Sequence, residues 1–226
     1  MVAAAKQSSA KPLQTGPNVE SLGTVILTDV SWEMYEKILD AFGDRRLRHT
    51  YVDGMLEIMS PLRVHEWRKK FIGRLIEMIA WRLRIPISCA GSTTLRKKLK
   101  RRGLEPDESY YVTNEPLIRG REEIDLRKDP PPDLAVEVDV THKSLNRLEA
   151  YAKLGVPEIW RHDGEKMEFL KLDSKGGYVP LKQSSAFPRV TPADISRFLD
   201  LLATRDENSI IDELVAWLDA TPRSKK

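Results

Sequence analysis

The chain holds a single cysteine, Cys89, among 226 residues. One thiol excludes an internal disulfide and a cysteine-built zinc cluster, and its expected role is to fill core space. Histidine is also scarce, at four residues. His65-Glu66 lacks the second histidine that a zinc-protease helix places one turn later. No glycine-rich phosphate loop supports a nucleotide cofactor. No apolar run approaches the roughly 20 residues needed to span a bilayer. Met1 to Glu20 contains Lys6 and Lys11 but no apolar stretch that would serve as a signal-peptide core. The expected compartment is therefore the cytoplasm, with no membrane partner. The net charge is only +3, so affinity for a polyanion would have to come from local clustering.

The residues that are present describe an α/β protein. A hydrophobic fraction of 41% suffices for a core, and 31% charged residues supply a wettable exterior. The length favours one domain, over 25–220, between a disordered tail at 1–24 and a basic tail at 221–226. Ser31 reads as the N-cap of a short helix ending near Gly43. Asp53-Gly54 joins strands 47–52 and 55–59 in a hairpin that Ser60-Pro61 stops. Ile72, Ile76, Ile79 and Leu83 give His65–Leu83 a helical period. Short strands are expected at 85–90 and 108–113. A strand at 133–139 leads into a helix at 143–154 with an apolar stripe of Leu145, Leu148 and Ala152 and an exposed Glu149–Lys153 pair. Gly155 caps that helix. Strands follow at 157–161, 166–171 and 178–182, and helices at 191–202 and 207–220. A strand, a helix and another strand in close succession imply a parallel crossover. The architecture predicted is a mixed β-sheet flanked by helices, with an N-terminal β-hairpin.

Two clusters of charge stand out. Arg96, Lys97, Lys98, Lys100, Arg101 and Arg102 form a basic run, suited either to a phosphate backbone or to a solvated loop. Just after it, Asp107 precedes a strand. Farther on, period two sets Asp133, Ala135, Glu137 and Asp139 opposite Leu134, Val136 and Val138. Ionised carboxylates in a sheet covered on both faces need partners or a metal, whereas an exposed edge strand carries them freely. Mg²⁺ takes hard oxygen ligands, often one or two carboxylates plus water and phosphate. Asp107 and Glu137 are a candidate pair. His65 starts its helix on the side of Ile72 and Ile76, either capping the core or facing a cleft. Glu57 lies on the polar face of the hairpin. Tyr110, Tyr111, Trp81 and Trp160 are core candidates before they are base-stacking ones, and Arg161 and His162 suit a polar rim.

Taken in order, several segments resemble the Uma family of endonucleases, within the restriction-endonuclease-like PD-(D/E)XK superfamily. They are Tyr51-Val52-Asp53-Gly54-Met55-Leu56-Glu57-Ile58-Met59-Ser60-Pro61, His65, Gly103-Leu104-Glu105-Pro106-Asp107, Pro132-Asp133-Leu134-Ala135-Val136-Glu137-Val138-Asp139-Val140-Thr141, and Tyr151-Ala152-Lys153-Leu154-Gly155-Val156-Pro157-Glu158-Ile159-Trp160-Arg161. The likeness spans about 25–200. It implies a restriction-endonuclease-like fold and hydrolysis of DNA phosphodiesters with Mg²⁺, or Mn²⁺, as cofactor. Asp107 and Glu137 would be the acidic metal ligands, whereas Asp133 shares Glu137's strand and suits the role less. The superfamily's lysine should stand two residues after the glutamate, where this chain has Asp139. Asp139 is then a further ligand, a structural residue or the mark of a lost activity. Arg147, four residues before Tyr151, and Lys143, a turn earlier, are the candidate replacements, with His65 and Glu57 as further catalytic candidates. A homodimer would suit cleavage of both strands. Two other readings stay open: a degraded nucleic-acid-binding or scaffold domain of the same fold, and a hydrolase using two carboxylates for acid–base chemistry on, for example, a glycoside.

Overall fold

The computed structural model describes residues 24–43, 48–59, 63–139 and 146–220. The expected tails (Thr24 apart), the Ser60-Pro61 stop, Lys143 and Leu145, with the predicted helix start at 143–145, lie outside these residues. Chain order begins with strand β1 (Val25–Leu27), helix α1 (Trp32–Phe42) and the hairpin β2 (Arg48–Val52) and β3 (Met55–Met59). Helix α2 (Arg63–Leu83) leads to β4 (Ser88–Cys89), β5 (Leu95–Lys97), β6 (Arg102–Leu104) and β7 (Glu108–Tyr111). A short α3 (Glu115–Ile118) precedes β8 (Leu134–Val138), α4 (Arg147–Leu154) and β9 (Glu158–His162). Strands β10 (Met167–Leu172) and β11 (Tyr178–Leu181) and helices α5 (Pro192–Asp200) and α6 (Glu207–Ala220) complete it.

Local chemistry explains the boundaries. Ser31 Oγ accepts the Met34 amide at 3.1 Å, capping α1. Asp53 and Gly54 both have positive φ, 44° and 95°, which matches strand twist across a two-residue turn. The hairpin is the middle of a five-stranded antiparallel sheet of order β1-β3-β2-β6-β5. A second sheet runs β11-β10-β9-β8-β7-β4, antiparallel except where β8 pairs with β9. That parallel pair, joined through α4, is the predicted crossover.

Both faces of the second sheet are covered. On one, Leu134, Val136, Val138, Trp160 and Phe169 pack with Phe71, Ile72, Leu75, Ile76 and Ile79 of α2 and with apolar residues of α5 and α6. On the other, Ala135 and Ile159 meet Tyr151 and Leu154 of α4, which also packs on Val52, Leu95 and Leu104 of the first sheet. Helix α4 therefore lies between the sheets. A third cluster joins Trp32 and Tyr35 of α1 to Tyr51 and Leu56 beneath the hairpin.

Several expectations need correction. Cys89 is exposed rather than core-filling, because the 85–90 strand shrinks to the two-residue β4 at the edge of the sheet. The basic run is neither a free loop nor uniformly solvated: it is the β5–β6 hairpin, closed by a 3-10 turn at Lys98–Lys100. Helix α4 starts at Arg147, where Asn146 Oδ1 accepts the Glu149 amide. Its buried residues are Ala150, Tyr151 and Leu154, since a two-sided helix needs a wider apolar surface than the predicted stripe. Glu149 binds Arg102 at 2.6 Å rather than Lys153. Strand β1 and helix α3 are short elements that periodicity did not reveal.

Candidate active site

Asp107 and Glu137 meet because β8 holds both. The Asp107 amide donates to Val136 O at 3.2 Å, and the Val138 amide donates to Asp107 Oδ2 at 2.7 Å. Glu137 leaves β8 on the Ala135 face, towards α4, as period two requires. Both side chains are buried, with 0% and 5% of the residue exposed, so each needs compensation.

For Glu137 it comes from α4. Arg147 and Tyr151 are one turn apart and share a helix face. The guanidinium forks onto the carboxylate, Nε to Oε2 at 2.9 Å and Nη2 to Oε1 at 2.8 Å, and the Tyr151 hydroxyl donates to Oε1. Arg147 is itself pinned: Nη2 donates to Glu105 O at 2.6 Å and Nη1 to the Thr50 hydroxyl of β2. Burial works against its charge, but Glu137 more than offsets this and raises its pKa. Burial, followed by the Glu137 charge, drives the Tyr151 phenol well above its ordinary range.

For Asp107 it comes from β2. Arg48 Nη2 lies 2.8 Å from Asp107 Oδ1 and 3.3 Å from Glu137 Oε2, so one nitrogen bridges the two carboxylates. Its N–H is directed at Glu137. Asp107 Oδ1 is in charge contact with it but has no aligned hydrogen-bond donor. Burial opposes ionisation of Asp107, yet the Arg48 charge, the His65 contact and the Val138 amide together outweigh it and hold the carboxyl below the usual range. His65 Nε2 is 2.8 Å from Arg48 Nη1 and 3.1 Å from Asp107 Oδ2. A guanidinium only donates and a carboxylate only accepts, so Nε2 serves one of them at a time: bare, it accepts from Arg48, and protonated, it donates to Asp107, while Nδ1 lies 3.3 Å from Glu66 Oε1.

Of the residues singled out in the sequence, Asp107, Glu137, Arg147 and His65 come together. Glu57 is buried and stands in register with Thr50 on β2, on the strand face that carries Arg48. Asp139 is half-buried at the end of β8, its amide donating to His162 O at 2.7 Å. Asp133 is committed elsewhere. Its carboxylate accepts the Val112 and Asn114 amides and the Asn114 side chain, closing the turn after β7. Trp160 is a packing residue, stacked on Phe169, and Trp81 is exposed. Arg48 and Thr50 were missed. Their only signal is a polar period-two pair, whose meaning appears once the two sheets face each other.

The basic hairpin lies on β6, whose far end reaches Glu105. Arg96, Lys98, Lys100 and Arg101 are exposed. Arg102 is not available to a ligand: it is buried, pairing with Asp53 at 2.7 Å and Glu149 at 2.6 Å.

The donor set suits a hard divalent cation. A buried carboxylate oxygen without an aligned donor, Asp107 Oδ1, stands beside a second carboxylate with a cationic nitrogen already between them. Among the described residues no group of three or more His, Cys, Asp or Glu is arranged to hold a metal ion. Any ion would rest on two carboxylates and complete its shell with water or phosphate.

Fold and site together define an α/β protein with a buried carboxylate–guanidinium centre where its two sheets meet. The model of the Uma2 family, described as "Putative restriction endonuclease", matches residues 32–200, three-quarters of the chain, and the protein belongs to that family. A crystal structure from Anabaena variabilis, described as "a putative nuclease belonging to DUF820", is similar to it with a TM-score of 0.45 and 14% identity, over 75% of this chain and 90% of that one. No curated protein matches the chain.

Proposed function

We propose that this protein is a Mg²⁺-dependent endonuclease, with Mn²⁺ as the alternative ion, which hydrolyses DNA phosphodiester bonds and cuts both strands as a homodimer. The observation that carries the reading is the buried Asp107–Glu137 pair, with Oδ1 of Asp107 in charge contact with Arg48 but lacking an aligned donor. Membership of a family described as restriction endonucleases supports it.

Asp107 and Glu137 would hold the ion. When bound, it supplies acidification of the attacking water and neutralisation of charge building on the phosphoryl oxygens. Arg147 fixes Glu137 in one orientation. It stays protonated and so cannot act as a base. His65 Nε2 lies beside Asp107 and would be placed to accept a proton once Arg48 Nη1 no longer occupies it. Arg96 stands opposite Gly103, two residues or about 7 Å along the strand from Glu105, and Arg101 four residues or about 13 Å, at roughly 3.3 Å per residue, close enough to track the backbone of the same duplex.

A second reading keeps the fold and drops the chemistry. Asp139 occupies the place expected for the lysine, and Arg48 and Arg147 already neutralise both carboxylates. Incubation of the purified chain with supercoiled plasmid, with Mg²⁺ or with chelator, separates them. Nicking and linearisation that chelator abolishes support the nuclease. Binding without cleavage of duplex or single-stranded DNA in either ion supports the scaffold.

A further inference from the structure

We propose that Arg48 is a resident counter-cation: its guanidinium holds the Asp107–Glu137 pair closed in the metal-free protein, and a divalent ion binds only as Arg48 withdraws. The inference rests on the metal-dependent reading above and adds a control step to it.

Position is the first ground. Arg48 Nη2 is 2.8 Å from Asp107 Oδ1 and 3.3 Å from Glu137 Oε2, between the two carboxylates that would hold an ion. Charge is the second. Two carboxylates and the guanidiniums of Arg48 and Arg147 sum to zero. A divalent ion added to that set would leave two positive charges among buried groups; withdrawal of one arginine halves that excess, and buried Glu57 on the Arg48 face offsets part of the rest. An arginine is therefore the group to leave.

Hydrogen bonding decides which. Arg147 is locked by both Glu137 oxygens, Glu105 O and Thr50 Oγ1. Arg48 has a weaker hold. Its Nε has no partner, its bond to Glu137 is long at 3.3 Å, and its approach to Asp107 lacks alignment. Exposure does not separate the two, at 12% of the side chain for Arg48 and 18% for Arg147, so the difference lies in how firmly each is held. Withdrawal would also release His65 Nε2, now committed to Arg48 Nη1, to face Asp107 alone.

The test is Mn²⁺ binding to the full chain without nucleic acid, by calorimetry and by the metal-induced rise in Tm. If Arg48 is resident nine-tenths of the time, it weakens the apparent affinity about tenfold. Arg48→Gln should therefore bind Mn²⁺ about tenfold more tightly than the parent and gain more Tm from it, although its metal-free Tm is lower. Arg48→Lys keeps the charge but cannot reach His65 and both carboxylates at once, and should fall between the two. A charge effect alone would leave Arg48→Lys binding Mn²⁺ as weakly as the parent, so tighter binding by the lysine variant is the result that marks a blocking side chain. Equal or weaker Mn²⁺ binding by folded Arg48→Gln, or by folded Arg48→Lys, overturns the inference. The nuclease reading survives that result if Glu137→Gln abolishes the parent's Mn²⁺ binding. No saturable Mn²⁺ binding by the parent or either variant overturns both.

Discussion

Arg147 lays two nitrogens on the two carboxylate oxygens of Glu137, at 2.9 and 2.8 Å, from the first turn of a helix wedged between two sheets. The pair ties the inter-sheet core to the candidate active site. Breaking a buried pair by removing one partner costs about 3–5 kcal/mol. Arg147→Ala should therefore lose roughly that much stability, and Arg147→Lys should recover only part, since an ammonium cannot make the fork. Urea denaturation of the two variants checks this; equal stability of Arg147→Ala and the parent would rule the pairing out.

Tyr151 donates to the same carboxylate. Tyr151→Phe removes that donor with little change in volume. A hydrogen bond to a charged group contributes about 1.5–3 kcal/mol. The expected outcome is a loss of that size by denaturant titration, with secondary structure unchanged by circular dichroism.

The hairpin divides its cations between two roles. Replacing Arg96, Lys98, Lys100 and Arg101 by serine should leave Tm nearly unchanged and flatten the salt dependence of DNA binding, by about 0.9 in log–log slope for each phosphate no longer neutralised. Arg102→Ala should do the reverse, lowering Tm because Arg102 is buried between Asp53 and Glu149. An unaltered salt slope in the quadruple variant would remove the hairpin from the DNA interface.

His49 sets an acid limit. It is buried with the Tyr35 hydroxyl 2.8 Å from Nε2. Burial, followed by the charges of Arg147 and Arg96, pushes its pKa down to about 3. In the unfolded chain the value is about 6.5. A depressed folded pKa gives a contribution that is present above 6.5 and lost as pH falls towards 3, at no more than about 1.4 kcal/mol per pH unit. Asp107, depressed from the carboxylate range, acts only at still lower pH. Stability should thus fall between pH 6 and about 4 in the parent, and His49→Gln should flatten that part of the profile.

Much of this fold was legible because its signals are local. Ser31 as a cap, Asp53-Gly54 as a turn, the α2 periodicity and the alternation in β8 each depend on neighbours in sequence. Asp107 and Glu137 were legible for the same reason, as acids in strand contexts that demand partners. Arg48 was not. It meets Asp107 across 59 residues and Glu137 across 89, by the facing of two sheets, and no period encodes that facing. Arg102 misled for a related reason: within a run of six cations, nothing local marks the one that turns inward.

The central claim is tested most directly by Glu137→Gln in a Mg²⁺ titration of DNA cleavage, with DNA association measured in parallel without metal. The structure adds a requirement, since this substitution also weakens the Arg147 pair, so only material shown to be folded counts. Removing one well-placed electrostatic partner costs about a hundred- to thousand-fold in rate. Cleavage by the folded variant should fall by that factor at limiting Mg²⁺ while metal-free association stays within about twofold, well under 1 kcal/mol. Cleavage at the parent's rate by folded Glu137→Gln would contradict the assignment of Asp107 and Glu137 as the active centre.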